Sequence, residues 1–300
     1  MVDDTRNSWQ VERLAGALGA EVRGADLSQT DEMDAAVIRR LLAEHMVIFF
    51  PDQQLDREAH LRLGAFFGPL EGHPNLKNPY SDQGEIFELA ATAGGIADEW
   101  HTDLTFLPEP ALMSILRMVK CPETGGDTMW TSLCAAYDAL SEPLKELCDG
   151  LSALHDAHPH DRADRMAIHP VVRVHPETGR KALYVNEHFT RRIVEMGQVE
   201  SDALLGLLTR WVQQPRFTVR HRWREGTVGI WDNRCTQHYV LDDFEGERVI
   251  NRVTVMGDRP EGVKEGQRWQ PWVIGRRGSA MARHDRQLKR FLRDGSAAAD

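Results

Sequence analysis

The chain has 300 residues, 41% hydrophobic and 27% charged, and its 46 acidic against 36 basic side chains give a formal charge of −10. That is the composition of an ordinary soluble globular protein, and its acidity argues against the concentrated positive face that a nucleic-acid partner requires. No apolar run approaches the roughly 18 residues of a membrane span, residues 1–6 lack the apolar stretch of a secretory signal, and Cys121, Cys134, Cys148 and Cys235 show no C-x-x-C pair, so a cytoplasmic protein with reduced thiols is expected.

Residues 31–45 carry Ala35, Ile38, Leu41 and Leu42 at helical spacing, which predicts an amphipathic helix. Residues 46–50 then read as a short apolar strand ended by Pro51, and residues 57–67 as a second amphipathic helix. Short strands and loops follow. Residues 143–148 and 200–213 are predicted helical, and residues 175–179 form a tight turn joining two strands. The closing strands are expected at residues 217–223, 227–231 and 249–255. Early helices followed by many short strands, without a repeat or linker, predict a single catalytic domain over residues 1–300 with its core at about 10–260. Its class is mainly β with flanking α-helices, an antiparallel jelly roll with helices packed on one face.

Beyond residue 260, Trp269 and Trp272 are expected to pack. The basic run from Arg276 through Arg293, with Met281, Leu288, Phe291 and Leu292, reads either as a solvated tail or as a helix docking on another subunit of a homo-oligomer.

The chemistry concentrates in Glu99-Trp100-His101-Thr102-Asp103. On a strand, positions i and i+2 share a face, so His101 and Asp103 can converge on one point. A distant histidine, His238 in Trp231-Asp232-Asn233-Arg234-Cys235-Thr236-Gln237-His238, completes a two-histidine, one-carboxylate set. Such a set binds one face of an octahedral metal and leaves three positions open, as ferrous oxygenases require. Taken alone, the three residues fit a structural role or a zinc hydrolase equally well.

Arg248 and Arg252 are four apart in a strand-like run, so both guanidiniums share a face. Gly125-Gly126-Asp127-Thr128 reads as a turn entering a strand, with Thr128 able to point inward. A buried arginine beside a hydroxyl suits the far carboxylate of a dicarboxylate co-substrate, through a bidentate charged pair and one added hydrogen bond. A zinc hydrolase on a cupin-like barrel gives no reason for two inward arginines, and an intact triad argues against a non-catalytic cupin-like binding protein. His155, His158 and His160, with Pro159 between the last two, read as a polar lid rather than a metal cluster. His45, His60, His169, His175, His188, His221 and His284 read as structural or exposed. Trp231 fits either a core aromatic or a contact of the metal shell, and Asn233 fits a turn.

In chain order, Trp100-His101-Thr102-Asp103, Gly125-Gly126-Asp127-Thr128, His169-Pro170-Val171-Val172-Arg173, Tyr184-Val185-Asn186-Glu187 and Trp231-Asp232-Asn233 through His238 resemble the TauD/TfdA (taurine dioxygenase/2,4-D dioxygenase) family of Fe(II)- and 2-oxoglutarate-dependent dioxygenases, from about residue 19 to residue 260. The resemblance implies a double-stranded β-helix, a cupin-like barrel. It implies that His101, Asp103 and His238 ligate iron, that Thr128 and Arg248 hold the distal carboxylate of 2-oxoglutarate, and that Arg252 holds an anionic group of the substrate. His73, in Gly72-His73-Pro74, stands where the family places another donor to that group, and Phe189 is an apolar wall. The loop between His238 and Arg248 is one residue shorter than the family pattern, which leaves the division of roles between the two arginines open.

The implied reaction takes dioxygen and 2-oxoglutarate to succinate and carbon dioxide and hydroxylates a substrate C–H. A carboxylate at Asp103, where halogenating relatives carry a small residue, favours hydroxylation. Taurine-specific members meet the amine of taurine with a tyrosine and an asparagine; the matching positions here are Leu76 and Ala97, which cannot bond an ammonium. The segment between His155 and His169 is also shorter than their lid. The expected substrate is therefore a small anionic organic molecule in a more open, more apolar site. A sulfonate or sulfate ester leads, taurine-like or an alkyl sulfate, with breakdown to an aldehyde; an aryloxyalkanoate or other carboxylate is the alternative.

Overall fold

A computed structural model describes residues 9–72, 84–91, 97–263, 269–272 and 283–293. β1 (Gln10–Arg13) and β2 (Ala20–Arg23) lead into α1 (Glu32–His45), β3 (Val47–Phe50) and α2 (Arg57–Ala65). Asp31 starts α1 with a capping box: its side chain accepts from Met33 N and Asp34 N, and the Asp34 carboxylate accepts from Asp31 N. Met46, at φ 64°, ends the helix and turns the chain directly into β3.

Next come β4 (Phe87–Ala91), β5 (Ala111–Lys120), β6 (Thr128–Ser132), α3 (Leu133–Asp138), α4 (Glu142–Asp149), β7 (Ser152–Ala157) and β8 (Arg162–Pro170). β9 (Val172–Val174), β10 (Lys181–Leu183) and β11 (Thr190–Ile193) precede α5 (Gln198–Val212). The chain continues through β12 (Thr218–His221), β13 (Val228–Asp232), β14 (Thr236–Val240), β15 (Arg248–Met256) and α6 (Arg283–Arg293). The predicted strand over residues 217–223 is shortened because Pro215–Phe217 forms a 3-10 turn ahead of it.

Seven strands bond in the order β1-β2-β3-β13-β5-β15-β4, antiparallel except where β2 runs beside β3. Side-chain alternation divides this sheet between two cores. Ile48, Phe50, Met113, Ile115, Val228 and Ile230 pack with Ile38, Leu41 and Leu42 of α1 and Leu63 of α2. The opposite face carries Phe49, Leu116, Met118 and Trp231, which pack with Trp130 of β6, Val219 of β12, Ile193 of β11 and Leu208 of α5. Burial on both faces explains why β3 is an unbroken apolar run, Val47-Ile48-Phe49-Phe50. The shorter sheets β12-β6-β14, β11-β7-β8 and β9-β10 face the large one across that second core. The result is the expected mainly β jelly roll, but its helices do not share one face: α1 and α2 pack on one side of the large sheet and α3 and α5 in the second core, and the sheets are separate rather than joined into a closed barrel.

Three further expectations are corrected. The segment from His155 to His169 is a hairpin whose strands belong to the sheet: β7 and β8 pair, His155 is fully buried and so is no part of a lid, and the 3-10 turn of residues 158–160 between the strands is what reaches the cavity. α6 docks on its own chain, with fully buried Leu288 against Leu154 and Val194, and Gln287 Nε2 donating to Asp156 Oδ2 at 3.2 Å. Trp269 and Trp272 are 41% and 43% exposed rather than packed in a core; Trp272 is held by its backbone, its N–H on Val194 O and its carbonyl accepting from Arg192 Nη2, and by the Arg192 guanidinium 5.7 Å from its ring centroid. No helix among the described residues is long and apolar enough to cross a membrane, and the four cysteines are unpaired.

Candidate active site

One backbone bridge brings the two distant histidines together. His101 N donates to His238 O at 3.1 Å and His238 N donates to His101 O at 2.9 Å, which sets the imidazoles side by side with ring centroids 4.1 Å apart. His101 lies in no longer strand. The chain turns at once, and Leu104 adopts φ 60°, an uncommon conformation for a branched residue. The turn is held by Thr102 Oγ1 donating to Thr236 O at 2.7 Å and Leu107 N to Leu104 O at 2.9 Å. His101 and Asp103 thus converge through a turn and not through strand alternation.

The Nε2 atoms of His101 and His238 each lie 3.9 Å from Asp103 Oδ1. His101 Nδ1 is 2.7 Å from the Glu99 carbonyl, which can only accept, so the ring proton belongs on Nδ1 and the Nε2 lone pair is free. Burial holds both rings neutral: it pushes His101 down to about 4 and His238 well below the usual histidine range. For Asp103, burial alone would raise the pKa, but the Arg252 guanidinium and the Ser114 hydroxyl help hold it well below the usual carboxylate range. Two neutral imidazoles and one ionised carboxylate, their ligand atoms within 4.8 Å of one another, are a donor set that fits a divalent first-row metal. A second group, His175, Asp232 and Cys235, is equally close. There, however, Asp232 is already engaged by Arg234 Nη2 at 2.6 Å and His175 Nε2 at 3.0 Å, and the cluster fixes the loop that carries the chain into β14.

A cavity of about 440 Å³ is lined by the triad together with Thr128, Arg248 and Arg252. The four-residue spacing on β15 does put both arginines on one face. Arg248 is 2% exposed; its Nε donates to Gly126 O at 3.0 Å and its Nη2 to Thr128 Oγ1 at 3.4 Å. Asp127, the carboxylate that acts on it, is itself bound to Arg220 at 2.7 Å, and burial pushes the Arg248 pKa down to about 10. A buried cation in that condition is costly unless a ligand supplies the anion.

Thr128 Oγ1 accepts from both Arg248 and Trp223 Nε1, at 3.4 and 2.8 Å. Neither partner can accept, so the hydroxyl proton is available to a further group. The double glycine makes this arrangement possible: Gly125 has φ 76°, and a Cβ there would stand 2.2 Å from the Asp243 carbonyl oxygen. Arg252 Nη1 donates to Asp103 Oδ1 at 3.0 Å, and its Nε is buried without a hydrogen-bond partner.

The profile described as "Taurine catabolism dioxygenase TauD, TfdA family" matches residues 10–254. The chain belongs to the TauD/TfdA family. Among its relatives, an alkylsulfatase of Acinetobacter baylyi is 38% identical over 286 residues, covering 87% of this chain and 89% of the relative. An alpha-ketoglutarate-dependent sulfate ester dioxygenase of Pseudomonas putida is 39% identical over 279 residues, 84% of this chain and 91% of that one. A crystal structure of a taurine dioxygenase from Burkholderia xenovorans, 39% identical, superposes with a TM-score of 0.79 over 90% of this chain and 96% of that chain.

This TauD/TfdA member also brings to the cavity residues that sequence reasoning missed. His160, Asp161 and His188 line it beside Phe189, so the wall is more polar than the losses at Leu76 and Ala97 suggested. His188 Nδ1 lies 2.5 Å from Glu99 Oε2, and its ring centroid is 5.6 Å from that of His101 and 4.5 Å from that of Phe189. Nothing local marked these histidines, because hairpin and loop geometry alone carries them inward. Ala97 lines the cavity; His73, Leu76 and the side chain of His284 lie outside the described residues. His60 and His169 are structural, with Nε2 donating to Ile115 O and Thr105 O, both at 2.9 Å. Trp231 packs in the core, and its ring stands 4.8 Å from that of His238.

Proposed function

We propose that the protein is an Fe(II)- and 2-oxoglutarate-dependent dioxygenase that hydroxylates a small sulfate ester or sulfonate on the carbon bearing the sulfur group and releases an aldehyde. The observation that carries this reading is the convergence of two neutral imidazoles and one ionised carboxylate in a cavity that also holds two inward arginines. His101 and His238 would hold iron through Nε2 and Asp103 through Oδ1. Bound iron supplies the activation of dioxygen, coupled to oxidative decarboxylation of 2-oxoglutarate to succinate and carbon dioxide.

The remaining steps belong to the chain's own side chains. Arg248 would give the distal carboxylate of 2-oxoglutarate its counter-charge, and Thr128 would donate the hydroxyl proton that Arg248 and Trp223 cannot take. Arg252 would receive the anionic head through its unpartnered Nε while Nη1 stays on Asp103, so the adjacent C–H faces the ligand triad. His73 would add a second donor to that head. Phe189, with His160 and His188, would wall the organic part and keep water from it. Hydroxylation beside a sulfate oxygen gives an adduct whose C–O bond breaks to an aldehyde and inorganic sulfate; beside a sulfonate, the C–S bond breaks and sulfite leaves.

A sulfate ester is favoured over taurine. Ala97 offers no partner to an ammonium, and the relatives at 38% and 39% identity are named for alkyl sulfate and sulfate ester chemistry. We place the activity in one catalytic domain with its core at residues 10–260, working in a reducing cytoplasm, a reading that the unpaired cysteines support. Two measurements test the proposal. Anaerobic addition of Fe(II) and 2-oxoglutarate should produce a weak metal-to-ligand charge-transfer band in the visible, which zinc cannot give. A succinate-release screen should then respond to alkyl sulfates and sulfonates above aryloxyalkanoates. Absence of the band removes the oxygenase reading, and turnover confined to aryloxyalkanoates moves the substrate to that class.

A further inference from the structure

Ser114 sits in β5 at the centre of the large sheet, opposite Trp231 of β13 on one side and Thr254 of β15 on the other, with no exposed surface. A hydroxyl buried there must be hydrogen-bonded, and its partners lead straight to the triad. Ser114 Oγ lies 2.7 Å from Asp103 Oδ2 and 2.9 Å from Asn233 Nδ2. Asn233, also without exposed surface, turns Oδ1 toward Trp231 Nε1 at 3.1 Å and toward Asp103 N at 3.4 Å.

Every proton in this chain has one possible direction. The Trp231 indole and the Asp103 backbone N–H can only donate, so the Asn233 oxygen must face them. Its amide NH₂ must then face Ser114. The Ser114 oxygen therefore accepts from Asn233, and its own proton goes to Asp103, which only accepts. Reversing the Asn233 amide would set N–H against N–H twice, so the orientation is locked by buried groups with no alternative partner.

The consequence falls on Asp103. Its Oδ2 accepts from Ser114 and its Oδ1 from Arg252 Nη1 at 3.0 Å, and Oδ1 is the oxygen that both histidine Nε2 atoms face at 3.9 Å. Held from both sides, the carboxylate cannot rotate, and it keeps Oδ1, not Oδ2, turned toward the two histidines, where a metal would meet one oxygen. A carboxylate free to rotate could bind through both and close one of the three positions that 2-oxoglutarate and dioxygen need. We propose that Ser114, oriented by Asn233 and Trp231, is a positioning residue that restricts Asp103 to one-oxygen metal binding, an inference that rests on the reading of Asp103 as a ligand.

The test strips the whole chain of metal and titrates it anaerobically, first with Fe(II) alone, followed by quenching of tryptophan fluorescence because the Trp231 ring stands 4.8 Å from that of His238, and then at saturating Fe(II) with 2-oxoglutarate, followed by the visible charge-transfer band. Ser114→Ala should weaken Fe(II) binding about 10- to 100-fold, the range for loss of a partner behind a metal ligand. It should also weaken the 2-oxoglutarate titration at saturating iron, which loss of packing alone does not move. Ser114→Thr keeps the hydroxyl and should restore both. Thermal melting of the metal-free proteins checks that the variants are folded. Should Ser114→Ala not fold, Asn233→Ala, which leaves the serine but removes the donor that orients it, should show the same two losses at smaller size. Failure of the wild-type chain to bind iron would remove the proposed function and this inference together. Wild-type binding matched by a folded Ser114→Ala or Asn233→Ala, or no restoration in a folded Ser114→Thr, overturns the positioning role alone.

Discussion

Replacing Arg248 with methionine should weaken 2-oxoglutarate binding while leaving the metal-free protein at least as stable as the wild type. The two effects have one origin. Arg248 is a cation 2% exposed that the fold satisfies only with a carbonyl and a hydroxyl. Loss of one partner from a buried charged pair costs about 3–5 kcal/mol, which corresponds to roughly two to three and a half orders of magnitude in the apparent KM for 2-oxoglutarate. Without ligand, burial that pushes the pKa from 12.5 to about 10 corresponds to ~3 kcal/mol against the cation. Its hydrogen bonds to Gly126 O and Thr128 Oγ1 return ~1 kcal/mol each. Methionine of similar length relieves the first and forfeits the second, a net gain of ~1 kcal/mol or about 2 °C in Tm. The assays are 2-oxoglutarate dependence of succinate release and thermal melting of the metal-free proteins. A KM within threefold of wild type, or a fall of many degrees in Tm, refutes the reasoning. If Arg252→Met raises that KM instead, the shortened loop after His238 has exchanged the two roles.

Asp103→Ala should fold but retain no iron after desalting and give no substrate hydroxylation; wild-type-like turnover in iron would remove Asp103 from the metal site. Stability of the metal-free protein should fall as pH drops from about 6.5 toward 4. Burial pushes His60 and His169 down to about 4, so the unfolded chain takes up protons first; their contribution is whole above the unfolded pKa and lost as pH falls through the folded one. Urea unfolding at several pH values checks this, and a flat profile contradicts it. Leu288→Asp sets a carboxylate against Leu154 and Val194, so it should release α6 and lower Tm by several degrees, whereas deleting everything after residue 293 should leave turnover, Tm and light-scattering size unchanged. A deletion product that dissociates into smaller species would make the terminal residues part of an assembly contact.

Features governed by local dihedral preference or short spacing were legible in the chain itself. The helix over residues 31–45, the double-glycine turn ahead of Thr128 and the shared face of Arg248 and Arg252 follow from rules that act over a few residues, and the order of motifs pointed to the family without any knowledge of packing. The same rules reached the convergence of His101 with Asp103 through the wrong local structure, since a turn pinned by Thr236 O, and not a strand, aims the carboxylate. Tertiary structure alone decided which groups surround the triad. His160 and His188 enter the cavity because a hairpin and a loop happen to end there, α6 turned out to have its apolar partner on its own chain, and Ser114 reads as one more polar residue in an apolar strand until Asn233, more than a hundred positions away, is folded against it. Periodicity specifies which face of an element is apolar. Which distant side chain completes a buried hydrogen bond depends on the packing of whole sheets, and no short stretch of sequence encodes that.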